Sequence, residues 1–130
     1  MHKDHLYLVH FQLDGVSTRV QVSPTQTLLE LLRNDLHEWD VKSGCGKGDC
    51  GSCALLLDGE ICLACLMLAV QADETTVTTV RGLGDGDHLH PLQEMFVRYG
   101  AVQCGFCTPG MLITAKALLD RHPHPTREQT

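Results

Sequence analysis

Cys45, Cys50 and Cys53 stand in the order C-x4-C-x2-C within the stretch SGCGKGDCGSC, and Cys65 follows after eleven further residues. Four thiolates at this spacing can bind a 2Fe–2S cluster, three from one tight loop and the fourth from a neighbouring strand. Glycines at 44, 46, 48 and 51 remove Cβ atoms that would crowd the inorganic sulfides. They also let backbone N–H groups face the cluster and offset its negative charge. A rival use of the same residues pairs Cys50 and Cys53 with Cys62 and Cys65 as a four-cysteine zinc site. That arrangement leaves Cys45 unused and gives the glycine-dense loop no purpose. Read as a strand, EICLAC also puts Cys62 and Cys65 on opposite faces, because side chains alternate. Cys62 is then a buried, inert thiol.

A second pair, Cys104 and Cys107, lies in VQCGFCTPGM, and none of the 23 residues that follow is a cysteine. Taken alone, the pair fits a core contact, a dithiol redox motif at a helix start, or half of a metal site. The total of seven cysteines is odd, which suits a disulfide framework badly. Metal ligation or redox chemistry in a reducing compartment fits better. His88, His90, His122 and His124 form two i, i+2 pairs beside prolines or glycines and read as solvated loop residues.

The elements that must position these groups follow from periodicity. HLYLVHFQL (5–13) and VSTRVQV (16–22) flank Asp14-Gly15, a hairpin signal. The first run carries Leu6, Leu8 or Val9, Phe11 and Leu13, with one slip of phase. SPTQTLLELLRNDLHEW offers capping boxes at Ser23/Gln26 and Thr27/Glu30, then Leu28, Leu31, Leu32 and Leu36 on one face of a helix of about ten residues. A second hairpin turns at Asp58-Gly59, and TTVTTV supplies a final strand. The order is α+β, of the ubiquitin or β-grasp kind.

RGLGDGDHLHP marks a boundary, which divides the chain into residues 1–82 and 83–130. Beyond it, PLQEMFVRYGA places Leu92, Met95, Phe96 and Tyr99 together. TPGMLITAKALLDRH opens with Thr108 as N-cap and Pro109 at the first helical position, with Leu112, Ala115 and Leu119 on one face. TREQT gives a further capping box at Thr126 and Gln129, the start of a helix that the chain does not continue.

A formal charge of −6 with scattered lysines and arginines makes nucleic acid a poor partner. The apolar runs are too short for a membrane span, and the N-terminus has neither signal-peptide order nor a twin-arginine pattern. A cytoplasmic location is expected.

Together SGCGKGDCGSC, ICLACLMLAV, TTVRGL and VQCGFCTPGM resemble, in order and spacing, the iron–sulfur subunit of the xanthine oxidase family of molybdenum hydroxylases. The resemblance implies a β-grasp domain holding one 2Fe–2S cluster through Cys45, Cys50, Cys53 and Cys65, with Gly46, Gly48 and Gly51 in its loop. It implies a helical domain of the four-helix-bundle type holding a second cluster through Cys104, Cys107 and a later Cys-x-Cys pair. That pair lies outside this sequence, so the helical domain is expected to be incomplete. Gln103 matches a glutamine that contacts the pterin. The implied partners are a molybdopterin-binding large subunit and an FAD-binding medium subunit. The implied role is electron transfer from molybdenum to FAD or another acceptor, with no catalytic residue on this chain. A zinc-stabilised interaction module and a CxxC thiol oxidoreductase are the alternatives.

Overall fold

In the computed structural model residues 5–130 are described. Strands β1 (Tyr7–Leu13), β2 (Val16–Val22), β3 (Ala54–Leu57), β4 (Glu60–Leu63) and β5 (Thr76–Thr78) form one sheet in the order β2-β1-β5-β3-β4. The sheet is mixed, because β1 runs parallel to β5 while the other neighbours are antiparallel. Asp14 (φ +48) and Gly15 (φ +83) make the two-residue turn that the Asp-Gly pair predicts. The slip of phase in β1 resolves in favour of Val9, Phe11 and Leu13, which are buried, while Leu6 and Leu8 are exposed.

The main core lies on one face of the sheet, where Val9, Phe11, Val22, Leu55 and Val77 meet Leu28, Leu31 and Leu32. Burial of each such side chain stabilises by about 1.5–3 kcal/mol. Those leucines belong to α1 (Leu28–Glu30), which continues directly as a wider π-type stretch over Leu31–Asp35. Its start is fixed by a reciprocal cap: the Glu30 N–H donates to Thr27 Oγ1 (3.1 Å) and the Thr27 N–H to Glu30 Oε2 (2.8 Å). The helix is shorter than the ten residues expected. Leu36 closes the wide turn on the Leu31 carbonyl, and His37 then leaves helical geometry at φ +58.

The opposite face of the sheet is covered by α3 (Thr108–Arg121), which follows α2 (Pro91–Arg98). Ile113 and Ala117 of α3 pack on Ala54 and Leu56 of β3. Expectation and structure differ here in two details. Helical hydrogen bonding begins one residue earlier, with the Met111 N–H donating to the Cys107 carbonyl, so Cys107 takes the N-cap position rather than Thr108. The buried face carries Leu112, Ile113 and Ala117, whereas Ala115 and Leu119 are only partly covered.

Two polar ties join the linker to both halves. The Asp14 carboxylate accepts from the Thr79 N–H (2.7 Å) and from its hydroxyl (2.6 Å), and Thr79 is 1% exposed. The Gln93 amide donates to the Val80 carbonyl (2.8 Å), and the His90 ring caps α2 by accepting from the Leu92 N–H. Residues 83–130 carry α2, α3 and a single turn at Thr126, where Gln129 closes on the Thr126 carbonyl. Among the described residues no helix is long and apolar enough to cross a membrane.

Candidate metal centre

Between the π-type stretch and β3 the chain has no regular structure from residue 42 to residue 53, and the backbone winds around sulfur instead. Cys45 Sγ accepts from three N–H groups, those of Lys47 (3.4 Å), Asp49 (3.2 Å) and Cys50 (3.4 Å). The Cys45 N–H in turn points at Cys50 Sγ (3.4 Å). Hydrogen bonds from the Lys47 and then the Cys50 N–H groups are the main reason the Cys45 thiol is lowered to about 6. The Cys50 thiol is lowered as well, chiefly by the Ser52 hydroxyl at 3.1 Å. Both shifts favour the thiolate, the form that binds metal.

Cys53 and Cys65 make the other pair. Cys53 lies in the main core just before β3 at 3% exposure, and burial pushes its thiol up while the Cys65 N–H is directed at its sulfur. Cys65 is presented by a single 3-10 turn, Ala64–Leu66, immediately after β4. Among the described residues no three acidic, histidine or cysteine side chains gather about a single ion position. The thiols come instead as two pairs, and a two-iron cluster takes two sulfurs per iron.

The loop also has the room that such a group needs. Gly46, Gly48 and Gly51 all have positive φ. Gly44 is packed so closely that a Cβ there would lie 2.7 Å from Cys50 Sγ and 2.8 Å from Ser52 Oγ. At Gly48 (φ +84) a Cβ would lie 2.6 Å from a methyl of Leu66, so the residue after Cys65 covers the loop at that point. Donor set, N–H cradle and steric clearance fit a 2Fe–2S cluster. Cys104 and Cys107 are exposed at the entrance to α3, and Gln103 is exposed beside them. Their two thiols are half the number of sulfurs that a 2Fe–2S cluster takes.

The expectation that Cys62 and Cys65 face opposite ways is not met. The strand ends at Leu63, the Ala64 N–H turns in to the Cys53 carbonyl (3.2 Å), and both cysteines then pack against the main core. What separates the two metal readings is Cys45, whose sulfur organises the loop. Burial, and then the charge of Cys53, pushes the Cys62 thiol up to about 11. A raised value keeps it protonated through the neutral range, so its alkylation should rise about tenfold per pH unit and stay slow below pH 9 or so. Cys62→Ala is expected to leave iron and sulfide content unchanged by elemental analysis. Loss of bound metal in that variant would favour the zinc arrangement.

Sequence reasoning passed over two residues at this site. Ser52 is a buried hydroxyl inside the cysteine loop. Gly110 stands in the first turn of α3, where a glycine is unfavourable without a packing reason, and a Cβ there would lie 2.5 Å from the Gly51 carbonyl oxygen.

Comparison with known proteins agrees with this geometry. The family model for a 2Fe-2S iron-sulfur cluster binding domain matches residues 11–80, and that for a 2Fe-2S binding domain matches residues 79–130. The nicotinate dehydrogenase small FeS subunit of Eubacterium barkeri is 45% identical over 121 residues, 93% of this chain and 77% of that one. The nicotine 6-hydroxylase small subunit of Paenarthrobacter nicotinovorans is 44% identical over 121 residues, 93% of this chain and 73% of that one. The crystal structure of quinoline 2-oxidoreductase from Pseudomonas putida 86 superposes with a TM-score of 0.90 at 41% identity, over 95% of this chain and 76% of that chain.

Proposed function

The chain belongs to the iron–sulfur subunits of the xanthine oxidase family of molybdenum hydroxylases, and from that premise we propose how its residues serve electron transfer within an oxidoreductase complex. Cys45, Cys50, Cys53 and Cys65 hold a 2Fe–2S cluster, which supplies one-electron storage and release. The observation that carries this assignment is the convergence of three backbone N–H groups on Cys45 Sγ beside the Cys53–Cys65 pair. Gly46, Gly48 and Gly51 let the loop backbone turn around the sulfurs. Leu66 packs on the loop at Gly48.

Cys104 and Cys107 hold one side of a second 2Fe–2S cluster, completed by ligands outside this sequence, in a helical domain of the four-helix type to which α2 and α3 contribute. The two domains are residues 1–82 and 83–130. Gln103 faces the pterin of a molybdopterin-binding large subunit, and an FAD-binding medium subunit accepts the electrons. Seven free cysteines suit a reducing compartment, which supports a cytoplasmic assembly. Named relatives act on nicotinate, nicotine and quinoline, so N-heteroaromatic compounds are the first substrates to try.

The test is anaerobic rapid mixing of the complex purified through this chain with nicotinate, nicotine and quinoline, following visible absorbance. Bleaching by one of these substrates in the complex, and by dithionite alone in the isolated chain, is the expected result. A chain that co-purifies with no molybdenum-containing subunit would contradict the proposal.

A further inference from the structure

We propose that Ser52 tunes the reduction potential of the Cys45–Cys65 site and that Gly110, from the opposite half of the chain, is the positioning residue that holds it there. The inference rests on Cys50 being a cluster ligand. Ser52 is 7% exposed, and its Oγ lies 3.1 Å from Cys50 Sγ. A metal-bound cysteine sulfur carries no proton, so the hydroxyl is the donor in that contact. Cys45 receives three backbone N–H groups, whereas Cys50 receives two, from Cys45 and Ser52, and the hydroxyl makes the third donor. The serine hydroxyl thus supplies by side chain what the backbone supplies to the neighbouring ligand.

Reduction adds negative charge to the site, and a hydrogen bond to sulfur favours the more negative state. Ser52 therefore raises the potential. Its placement is enforced from two sides. Gly44 leaves just enough space for the contact, since a Cβ there would crowd both Cys50 Sγ and Ser52 Oγ. From the other side α3 lies directly on the Gly51–Ser52 backbone, where a Cβ on Gly110 would come 2.5 Å from the Gly51 carbonyl oxygen and 3.2 Å from Ser52 Cα. Those atoms are backbone and cannot rotate away. Cys107 stands at the head of the same helix, and a cleft of about 500 Å³ beside this contact is lined by Cys50, Gly51, Ser52, Cys107 and Gly110. The helix that the second cysteine pair leads into thus sets a hydrogen bond to a ligand of the first site.

The test is a redox titration of the full chain, monitored by paramagnetic resonance, after iron and sulfide analysis of each variant. Ser52→Ala is expected to lower the reduced-to-oxidised ratio at a fixed poise about tenfold, equivalent to about 59 mV for one electron. Ser52→Gly serves where the alanine variant fails to load. Gly110→Ala should shift the ratio in the same direction, and in the Ser52→Ala background it should shift nothing further. A loaded Ser52 variant with an unchanged potential, or a Gly110→Ala effect that persists in full without the hydroxyl, overturns the proposal. Absence of iron and sulfide from the unsubstituted chain overturns it together with the cluster reading, so the two failures are told apart by the analysis that precedes the titration.

Discussion

Cys45→Ala empties the first site: iron and acid-labile sulfide fall from about two of each per chain to near zero, and the red-brown colour is lost. The size of the effect follows from the geometry. Cys45 is the hub of the loop, with the N–H groups of Lys47, Asp49 and Cys50 all directed at its sulfur. Its replacement removes one ligand of four and the acceptor around which the backbone is wound. Cys62 is a poor stand-in, because it is packed against the main core and burial keeps its thiol protonated, up at about 11. The same variant separates the metal readings, since a zinc site built from Cys50, Cys53, Cys62 and Cys65 would be untouched. Iron, sulfide and zinc measured on one preparation decide the matter.

Asp14→Ala should destabilise the folded chain by about 3 kcal/mol. Its carboxylate is the acceptor for both the N–H and the hydroxyl of Thr79, which is buried. Removing it leaves two buried donors unpaired, each costing about 1–3 kcal/mol. Alanine also fits the turn poorly, because residue 14 sits at φ +48, a region where Asp and Asn are tolerated better. Thr79 begins the segment that leads from the sheet to α2, so the loss loosens the join between the halves. Urea unfolding of the loaded protein should show a lower midpoint with little change in slope. Asp14→Asn keeps the turn and one acceptor and should cost clearly less. Equal stability of the alanine variant and the unsubstituted protein would contradict this account of the joint.

Local signals were legible wherever the physics is local. Asp14-Gly15 between alternating runs gives the β1–β2 turn, and the Thr27–Glu30 box sets the start of α1, because each depends on residues within a few positions. The cysteine spacing likewise brings Cys45 to Cys50 and Cys53 to Cys65. Tertiary packing decided the rest. Whether Leu8 or Val9 faces inward depends on which side of β1 the leucines of α1 cover. The buried face of α3 is set by Ala54 and Leu56 on β3, which no helical period in the segment itself can reveal. Cys65 escaped the alternation rule because β4 stops two residues before it. Nothing local sets Ser52 apart from other loop serines; the packing of α3 on its backbone does, and the glycine in the first turn of that helix is its signal in the sequence.

Paramagnetic resonance of the dithionite-reduced chain, with iron, sulfide and zinc determined on the same sample, tests the cluster most directly. A two-iron cluster held by Cys45, Cys50, Cys53 and Cys65 predicts about two irons and two sulfides per chain and a spin-half signal that appears on reduction. Zinc without sulfide, and no signal on reduction, would contradict it.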